Sequence, residues 1–293
     1  MKIEQGVALG RYTTFGSGGS ARGFMRARNE EDVARAFAWA AERDLPVLPL
    51  GFGSNLLVAD GGVEALVIRL EGELASVEID GETMIAGGGA ADALCARLAQ
   101  TAGLSGLEFA ASIPGTVGGG VCMNAGAWGS DFGAVLSRAL VAEREGSRWL
   151  DNSQLGLRYR GSALGAGQIV VRAELRLEQS SAREIESGVQ AKKEQRRSSQ
   201  PSGIRTFGSV FKNPEHELGA GRMIDACGLK GERIGGARIS LQHANFIENC
   251  GGAKTADALA LIELARRRVH EQFGVVLEPE VRLIGEISLP PVG

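Results

Sequence analysis

The sequence predicts an α+β protein, and three observations carry that expectation. Short apolar runs that read as strands are interspersed with amphipathic stretches that read as helices. The chain has 293 residues with 44% hydrophobic and 23% charged side chains, long enough for two domains with real cores or one large one. A polar, charged run at residues 180–200, SSAREIESGVQAKKEQRRSSQ, sets off a compact α+β last third. We place the boundary near residues 180–185, giving domains at 1–180 and 185–293.

The elements follow in order. Asn29 stands three residues before Asp32 and caps a helix on which Val33, Phe37 and Ala40 share a face. Residues 45–50, 63–70, 74–79 and 83–86 read as strands, and the helix after them turns Leu94 and Leu98 inward. Residues 136–143 and 169–177 read as strands that alternate only in part. Further on, 207–212 forms a strand stopped by Pro214. A short helix covers 220–227, and 242–247 leads into a strand. Thr255 then caps a helix with Ala258, Ile262, Ala265, Val269 and Phe273 on one face. The final strand, 275–284, places Glu278, Glu280 and Arg282 on one face, which reads equally as a site or as surface ion pairing.

Composition excludes several functions. The formal charge is −3, so the basic footprint that nucleic-acid binding needs is missing. The basic residues Lys192, Lys193, Arg196 and Arg197 are interleaved with glutamates and read as a solvated helix face. No apolar run approaches the roughly 18 residues of a membrane span. The first residues lack the apolar stretch of a signal peptide, so a cytoplasmic protein without membrane partners is expected; a monomer is the expected state. Cys95, Cys122, Cys227 and Cys250 are far apart and read as small buried residues. With only His216, His243 and His270 and no ligand spacing, no metal is expected. Gly16-x-Gly18-x-x-Ala21 has a nominal dinucleotide pattern, but no strand precedes it and no amphipathic helix opens after it.

Glycine is the outlier, with 43 residues and no period of three. The stretch 103–129, GLSGLEFAASIPGTVGGGVCMNAGAWG, holds eight glycines in 27 residues and Glu108 as its only charge. It is too apolar for a solvated loop and too glycine-rich for a good helix or strand. Gly115, Gly118, Gly119 and Gly120 leave backbone amides bare, with Thr116 and Asn124 adding polar groups, so a large, partly anionic cofactor is expected against this run. Gly51-Phe52-Gly53-Ser54-Asn55 is a second place where amides can converge on an anion, or a plain turn. Arg160 beside Tyr159 reads as an anion clamp or a solvent-facing arginine.

Taken together, the blocks TTFGSGG, LGFGSNLLV, GLEFAASIPGTVGGGVCMNAGAWG, RYRGS, QPSGIRTFGSVFKNP, AGRMIDACGLKG, IGGARIS, HANFIEN and LEPEVRLIGE resemble the UDP-N-acetylenolpyruvoylglucosamine reductases over essentially the whole chain. These flavoenzymes make UDP-N-acetylmuramate for peptidoglycan. The resemblance implies a flavin-binding α+β domain of the vanillyl-alcohol-oxidase type, with subdomains at about 1–72 and 73–180. A substrate domain follows, whose last strand packs back on the first subdomain. It implies FAD as cofactor, contacted by Gly51, Phe52, Gly53, Ser54, Asn55 and Leu56 and by Ile113, Pro114, Gly115, Thr116, Gly118, Gly119, Asn124 and Ala125. Relatives that attach flavin covalently use a histidine where this chain has Gly16–Ser20, so attachment is expected to be non-covalent.

The implied reaction uses NADPH as co-substrate and a UDP-sugar enolpyruvate as substrate. A hydride reaches C3 of the enolpyruvyl ether and a proton reaches C2. By resemblance Arg160 stabilises charge on the substrate carboxylate. Glu280 assists there in protonated form, which requires a raised pKa, and Ser209 delivers the proton. Tyr159, Lys212, Asn213, Gln242, His243 and Arg282 line the substrate pocket. Some positions depart from the usual pattern: Phe52 for a small residue, Ser112 for glycine, Gly120 for alanine, Trp128 for tyrosine, and Gly16-Ser17 for an arginine and an aliphatic residue. With no tyrosine after Tyr159, the chain resembles the shorter type that lacks a tyrosine-bearing loop. The trio Arg160, Ser209 and Glu280 separates this reading from an oxidase of the same fold, which needs a base and not a proton donor.

Overall fold

Five antiparallel strands form one sheet in the order Gly146–Asp151, Leu136–Glu143, Ile169–Arg176, Thr83–Gly87, Val77–Asp80. Its two central strands are covered on both sides. Leu140, Ala142, Ile169 and Val171 join one apolar cluster, while Ala139, Val141, Val170, Ala173 and Leu175 join another. Burial on both faces explains why alternation in these strands is only partial. The first cluster includes Val33, Ala36, Phe37 and Ala40 of helix α1 (Glu30–Ala41), and Met25, Leu66 and Ile68 from a second sheet. That sheet runs Ile3–Glu4, Ser20–Ala27, Val63–Leu70, Val47–Pro49. Asn29 caps α1 by accepting the Asp32 amide at 2.9 Å.

The second cluster is filled by α2 (Asp92–Thr101) and α3 (Val117–Met123). The inner face of α2 is Asp92, Cys95, Ala96 and Ala99, so Leu94 and Leu98, expected inward, are only partly buried. Small side chains let this helix lie close to its neighbours, and the larger leucines flank the contact. Helix α3 is also unexpected, since VGGGVCM has poor helix propensity. Tertiary contact overrides it: a Cβ on Gly118 would lie 3.0 Å from the carbonyls of Gly88 and Val170, and one on Gly120 only 2.3 Å from the Phe132 ring. A short turn, α4 (Phe132–Val135), carries that ring.

Apart from Ser20–Arg22 and Val63–Glu64, these segments belong to one of two compact units in the computed structural model, which describes residues 2–292. It comprises the residues before Gly6, Gly23–Phe52 and Ala65–Arg196. The other comprises Gly6–Arg22, Gly53–Glu64 and the residues from Arg197 onward. This division differs from the single boundary placed near 180–185, which falls close to the start of α5 (Ala182–Ser199). The physical reason is that Phe15 and Leu57 are core residues of the second unit, and Phe15 meets Phe207 edge-on at 5.1 Å.

The second unit holds four antiparallel strands, Arg205–Ser209, Phe246–Asn249, Ala237–Ile239 and Arg233–Ile234 in that order, with α6 (Ala220–Ala226) and α7 (Thr255–Phe273). Ala258, Leu261, Ile262, Ala265 and Val269 of α7 are buried. Thr255 is not the cap of α7. Its hydroxyl donates to the Val58 carbonyl at 2.6 Å, and the Asp60 carboxylate accepts the Thr255 and Ala256 amides at 2.9 and 3.0 Å. A cap supplied from 195 residues away is invisible to a local reading. The strand expected over 275–284 is confined to Arg282–Ile284, which pairs in parallel with Leu56–Val58. Ahead of it Phe211 and Pro279 form an isolated bridge.

Candidate active site

In the first unit the two glycine-rich stretches converge. A Cβ on Gly51 would lie 2.5 Å from the Thr116 hydroxyl, so only glycine lets the 51–52 turn reach that threonine. Thr116 sits just ahead of α3, where residues 88–92 zip against 115–118: Asp92 N–H donates to Gly115, Val117 N–H to Ala90 and Gly118 N–H to Gly88. The amides of Gly115, Gly118 and Gly120 donate within the chain, to Ile113, Gly88 and Thr116. A Cβ on Gly119 would have no atom closer than 3.7 Å, and Gly119, Pro114 and Phe52 are exposed. The Ser112 hydroxyl is buried without a partner beside Ile113.

Asp92 is the unusual titratable group here. It is fully buried, neither carboxylate oxygen has a hydrogen-bond partner, and a Cβ on Gly115 would lie 2.4 Å from Oδ2. Burial pushes its pKa up to about 8. The same burial, with the Asp92 charge adding to it, pushes the Cys95 thiol up to about 12.

Arg160 lies in this unit on a tight turn. Arg158 N–H donates to the Gly161 carbonyl at 2.9 Å, and Gly161 N–H returns to Arg158 at 3.1 Å. Tyr159 and Arg160 are the residues between them. Tyr159 is 54% exposed, and the guanidinium carbon of Arg160 is 5.2 Å from its ring centroid. Arg160 has φ +56°, the left-handed region. The side chain of Asn124 reaches this turn, while Ala125 is held by its own backbone, N–H to Gly120 and carbonyl from Phe132.

Within the second unit the structure brings Ser209 and Glu280 onto neighbouring segments. Glu280 N–H donates to the Val210 carbonyl at 2.8 Å, and Lys212 N–H to the Glu278 carbonyl at 3.0 Å. The segment after Ser209 is fixed from the other side by Asn245, a buried residue the sequence reading missed. Its side chain accepts from Phe211 N–H at 3.0 Å and donates to the Phe211 carbonyl at 2.8 Å. Asn55 Nδ2 donates to the Glu280 carbonyl at 3.1 Å, and the Asn55 carbonyl accepts from Arg282 N–H at 3.0 Å. Gly53, at φ +64°, lies against Tyr12, because a Cβ there would be 2.2 Å from the Tyr12 carbonyl. The Ser54 carbonyl faces Gly208, and Leu56 pairs with Arg282.

The predicted substrate residues divide. Lys212 pairs with Glu278, so ion pairing accounts for Glu278, which is exposed, while Glu280 is half-buried. Asn213 Oδ1 accepts the Ala220 amide at 3.1 Å and so caps α6. Exposed Gln242 donates to the Ser198 carbonyl at 3.3 Å. His243 Nδ1 accepts from Asn245 N–H at 3.2 Å, and burial, with the Lys230 charge second, lowers its pKa. Among the described residues no group of histidine, cysteine or carboxylate side chains could hold a metal, and no helix is long and apolar enough to cross a membrane.

Comparison with known proteins decides the family. Residues 200–284 match the C-terminal domain of UDP-N-acetylenolpyruvoylglucosamine reductase, and residues 21–147 match an FAD-binding domain. A reductase of that name from Symbiobacterium thermophilum is 41% identical over 286 residues, covering 97% of this chain and 92% of the relative. The chain belongs to the UDP-N-acetylenolpyruvoylglucosamine reductase family. Another member, from Rubrobacter xylanophilus, is 41% identical over 280 residues, covering 95% of this chain and 94% of its own. The crystal structure of the Thermus caldophilus reductase superposes with a TM-score of 0.86 at 39% identity, covering 97% of this chain and 99% of that one. The fold is accordingly the FAD-binding α+β domain with the reductase C-terminal domain, and the protein is an FAD-dependent oxidoreductase. The residues present fit that cofactor. The Gly51 turn seated on Thr116, the open Gly119 and the orphaned Ser112 hydroxyl combine close backbone approach with unspent polar capacity.

Proposed function

We propose that this reductase converts the enolpyruvyl ether of UDP-N-acetylglucosamine to UDP-N-acetylmuramate with NADPH, in peptidoglycan synthesis in the cytoplasm. Non-covalent FAD, when bound, would supply two-electron chemistry between NADPH and the enolpyruvyl ether. The residues proposed to hold it are Gly51–Leu56, Ile113–Thr116, Gly118 and Gly119.

The chain's own residues handle the charge and the proton. Addition of hydride at C3 drives electrons onto C2 and its carboxylate. Arg160, fixed in a turn, offers a guanidinium that stays charged and accepts no proton, suited to stabilising that carboxylate. Glu280 hydrogen-bonds the same group as a neutral acid. The Ser209 hydroxyl gives its proton to C2, closing the balance of one hydride and one proton. Tyr159, Lys212, Gln242, His243 and Arg282 are the substrate-side residues in this reading. The observation that supports it is the 2.8 Å bond from Glu280 N–H to the Val210 carbonyl, which brings the Glu280 backbone to the residue after Ser209.

Stopped-flow kinetics of Ser209→Ala tests it. Flavin reduction by NADPH is expected to survive, while reoxidation by the enolpyruvyl sugar nucleotide falls about 10²–10⁴-fold. Equal slowing of both half-reactions would make Ser209 structural and defeat the assignment.

A further inference from the structure

Asn124 ends α3 with φ +41° and ψ +55°, a left-handed cap that asparagine tolerates better than most residues. Its side chain is buried and extensively bonded within the chain. Nδ2 donates to Asp131 Oδ2 at 3.0 Å and to the Arg158 carbonyl at 3.2 Å, and Oδ1 accepts from Gly133 N–H at 2.8 Å. A carboxylate and a carbonyl must meet the amide nitrogen and an N–H must meet the oxygen, so the network fixes the amide's orientation. Both donors are thereby spent. A side chain so engaged has one acceptor lone pair left for any ligand.

The carbonyl it holds belongs to the turn that carries Arg160. Arginine at φ +56° costs about 1 kcal/mol or more, and such a conformation persists only where the surroundings over-determine it. The surroundings here come from the end of α3. Besides Asn124, the Cys122 carbonyl accepts from the Ser162 hydroxyl at 2.8 Å, and the Arg158 guanidinium closes onto the Ser162 carbonyl at 2.7 Å. We propose that Asn124 is a positioning residue for Arg160, so that the glycine-rich stretch sets the aim of the arginine as well as serving the cofactor. This inference rests on the role given to Arg160 above.

The test uses the FAD-loaded protein, with flavin reduction by NADPH and reoxidation by the enolpyruvyl sugar nucleotide measured separately. Asn124→Gly keeps a residue suited to the left-handed cap and removes all three bonds. With FAD supplied to saturation, the reductive rate is expected to stay within about twofold, with reoxidation slowed about 10–10²-fold, the size of effect a misplaced catalytic group produces. The double variant Asn124→Gly/Arg160→Ala is expected to be no slower than Arg160→Ala alone. Equal slowing of both halves or additive effects in the double variant overturn the proposal. Should Asn124→Gly not fold, Asn124→Asp keeps the shape and the acceptor for Gly133 but has no donor for Arg158, and the same comparisons apply. Wild-type reoxidation by Arg160→Ala defeats the Arg160 assignment and this inference with it. Slow Arg160→Ala beside normal Asn124→Gly and Asn124→Asp defeats the positioning role alone.

Discussion

Glu280 N–H donates to the Val210 carbonyl over 2.8 Å, so the backbone of the predicted acid is pinned one residue past Ser209. Its side chain is the variable to test. Glu280→Ala is expected to slow substrate-driven reoxidation about 10²-fold or more while leaving NADPH-driven reduction in place. Glu280→Gln, which still offers a donor, is expected to recover part of the loss. Stopped-flow traces showing the glutamine variant as slow as the alanine one rule out hydrogen-bond donation as the role.

Asp92 makes stability fall with pH. Its folded pKa is about 8 against an ordinary 3.8, so the native state keeps a proton that the unfolded chain releases across that window. The Asp92 contribution to stability is therefore greatest below pH 4, declines by up to about 1.4 kcal/mol per pH unit through the window, and levels off above pH 8. Asp92→Asn removes this slope and is expected to be more stable than wild type at pH 8. Urea midpoints at pH 6, 7, 8 and 9 for both proteins check it. Parallel curves for the two mean that Asp92 is ionised in the fold.

Gly120 leaves the space that the Phe132 ring fills. Where the family pattern usually has alanine, a Cβ would lie 2.3 Å from the Phe132 ring. Gly120→Ala is expected to destabilise this chain by about 1–3 kcal/mol through overpacking. Gly120→Ala/Phe132→Leu is expected to be less destabilised than the sum of its single variants. Thermal melts of all four proteins measure the coupling, and strict additivity would dismiss the pair.

Gly51 tests the cradle. Gly51→Ala drives a methyl group into the Thr116 hydroxyl, so purified protein is expected to carry substoichiometric FAD and to bind it several-fold more weakly. Removing that hydroxyl with Thr116→Ala in the same chain is expected to restore part of the affinity. Unchanged flavin titration in Gly51→Ala refutes the placement.

Much of the local structure was legible from residue pattern. Residues 63–70 and 136–143 are strands with the bounds the pattern predicts, and the buried faces of α1 and α7 follow their apolar spacing. The failures share a cause, which is that a distant segment decides the outcome. Helix α3 forms although its glycines disfavour helix, because Gly88, Val170 and Phe132 leave no room for side chains. Thr255 was misread as a cap because Asp60 does that work from elsewhere in the chain. Ser20–Ala27 was not anticipated after its glycine-rich lead-in. Asn245 carries no sequence signal beyond being an asparagine in HANFIEN, and its clamp on Phe211 exists only once the sheet has formed. The proposed trio Arg160, Ser209 and Glu280 comes from resemblance and not from spacing.

The division of the chain has a consequence for its synthesis. The polypeptide passes between units at Gln5–Gly6, Arg22–Gly23, Phe52–Gly53, Glu64–Ala65 and Arg196–Arg197. Phe15 and Leu57 therefore leave the ribosome well before Phe207 and the helices they pack with have been made. At about 5–20 residues per second, Phe15 waits roughly 10–40 s for its aromatic partner. During that interval Phe15 and Leu57 lack most of the apolar cluster that buries them in the finished fold, so the nascent chain carries exposed core residues of the second unit while the first unit is being completed.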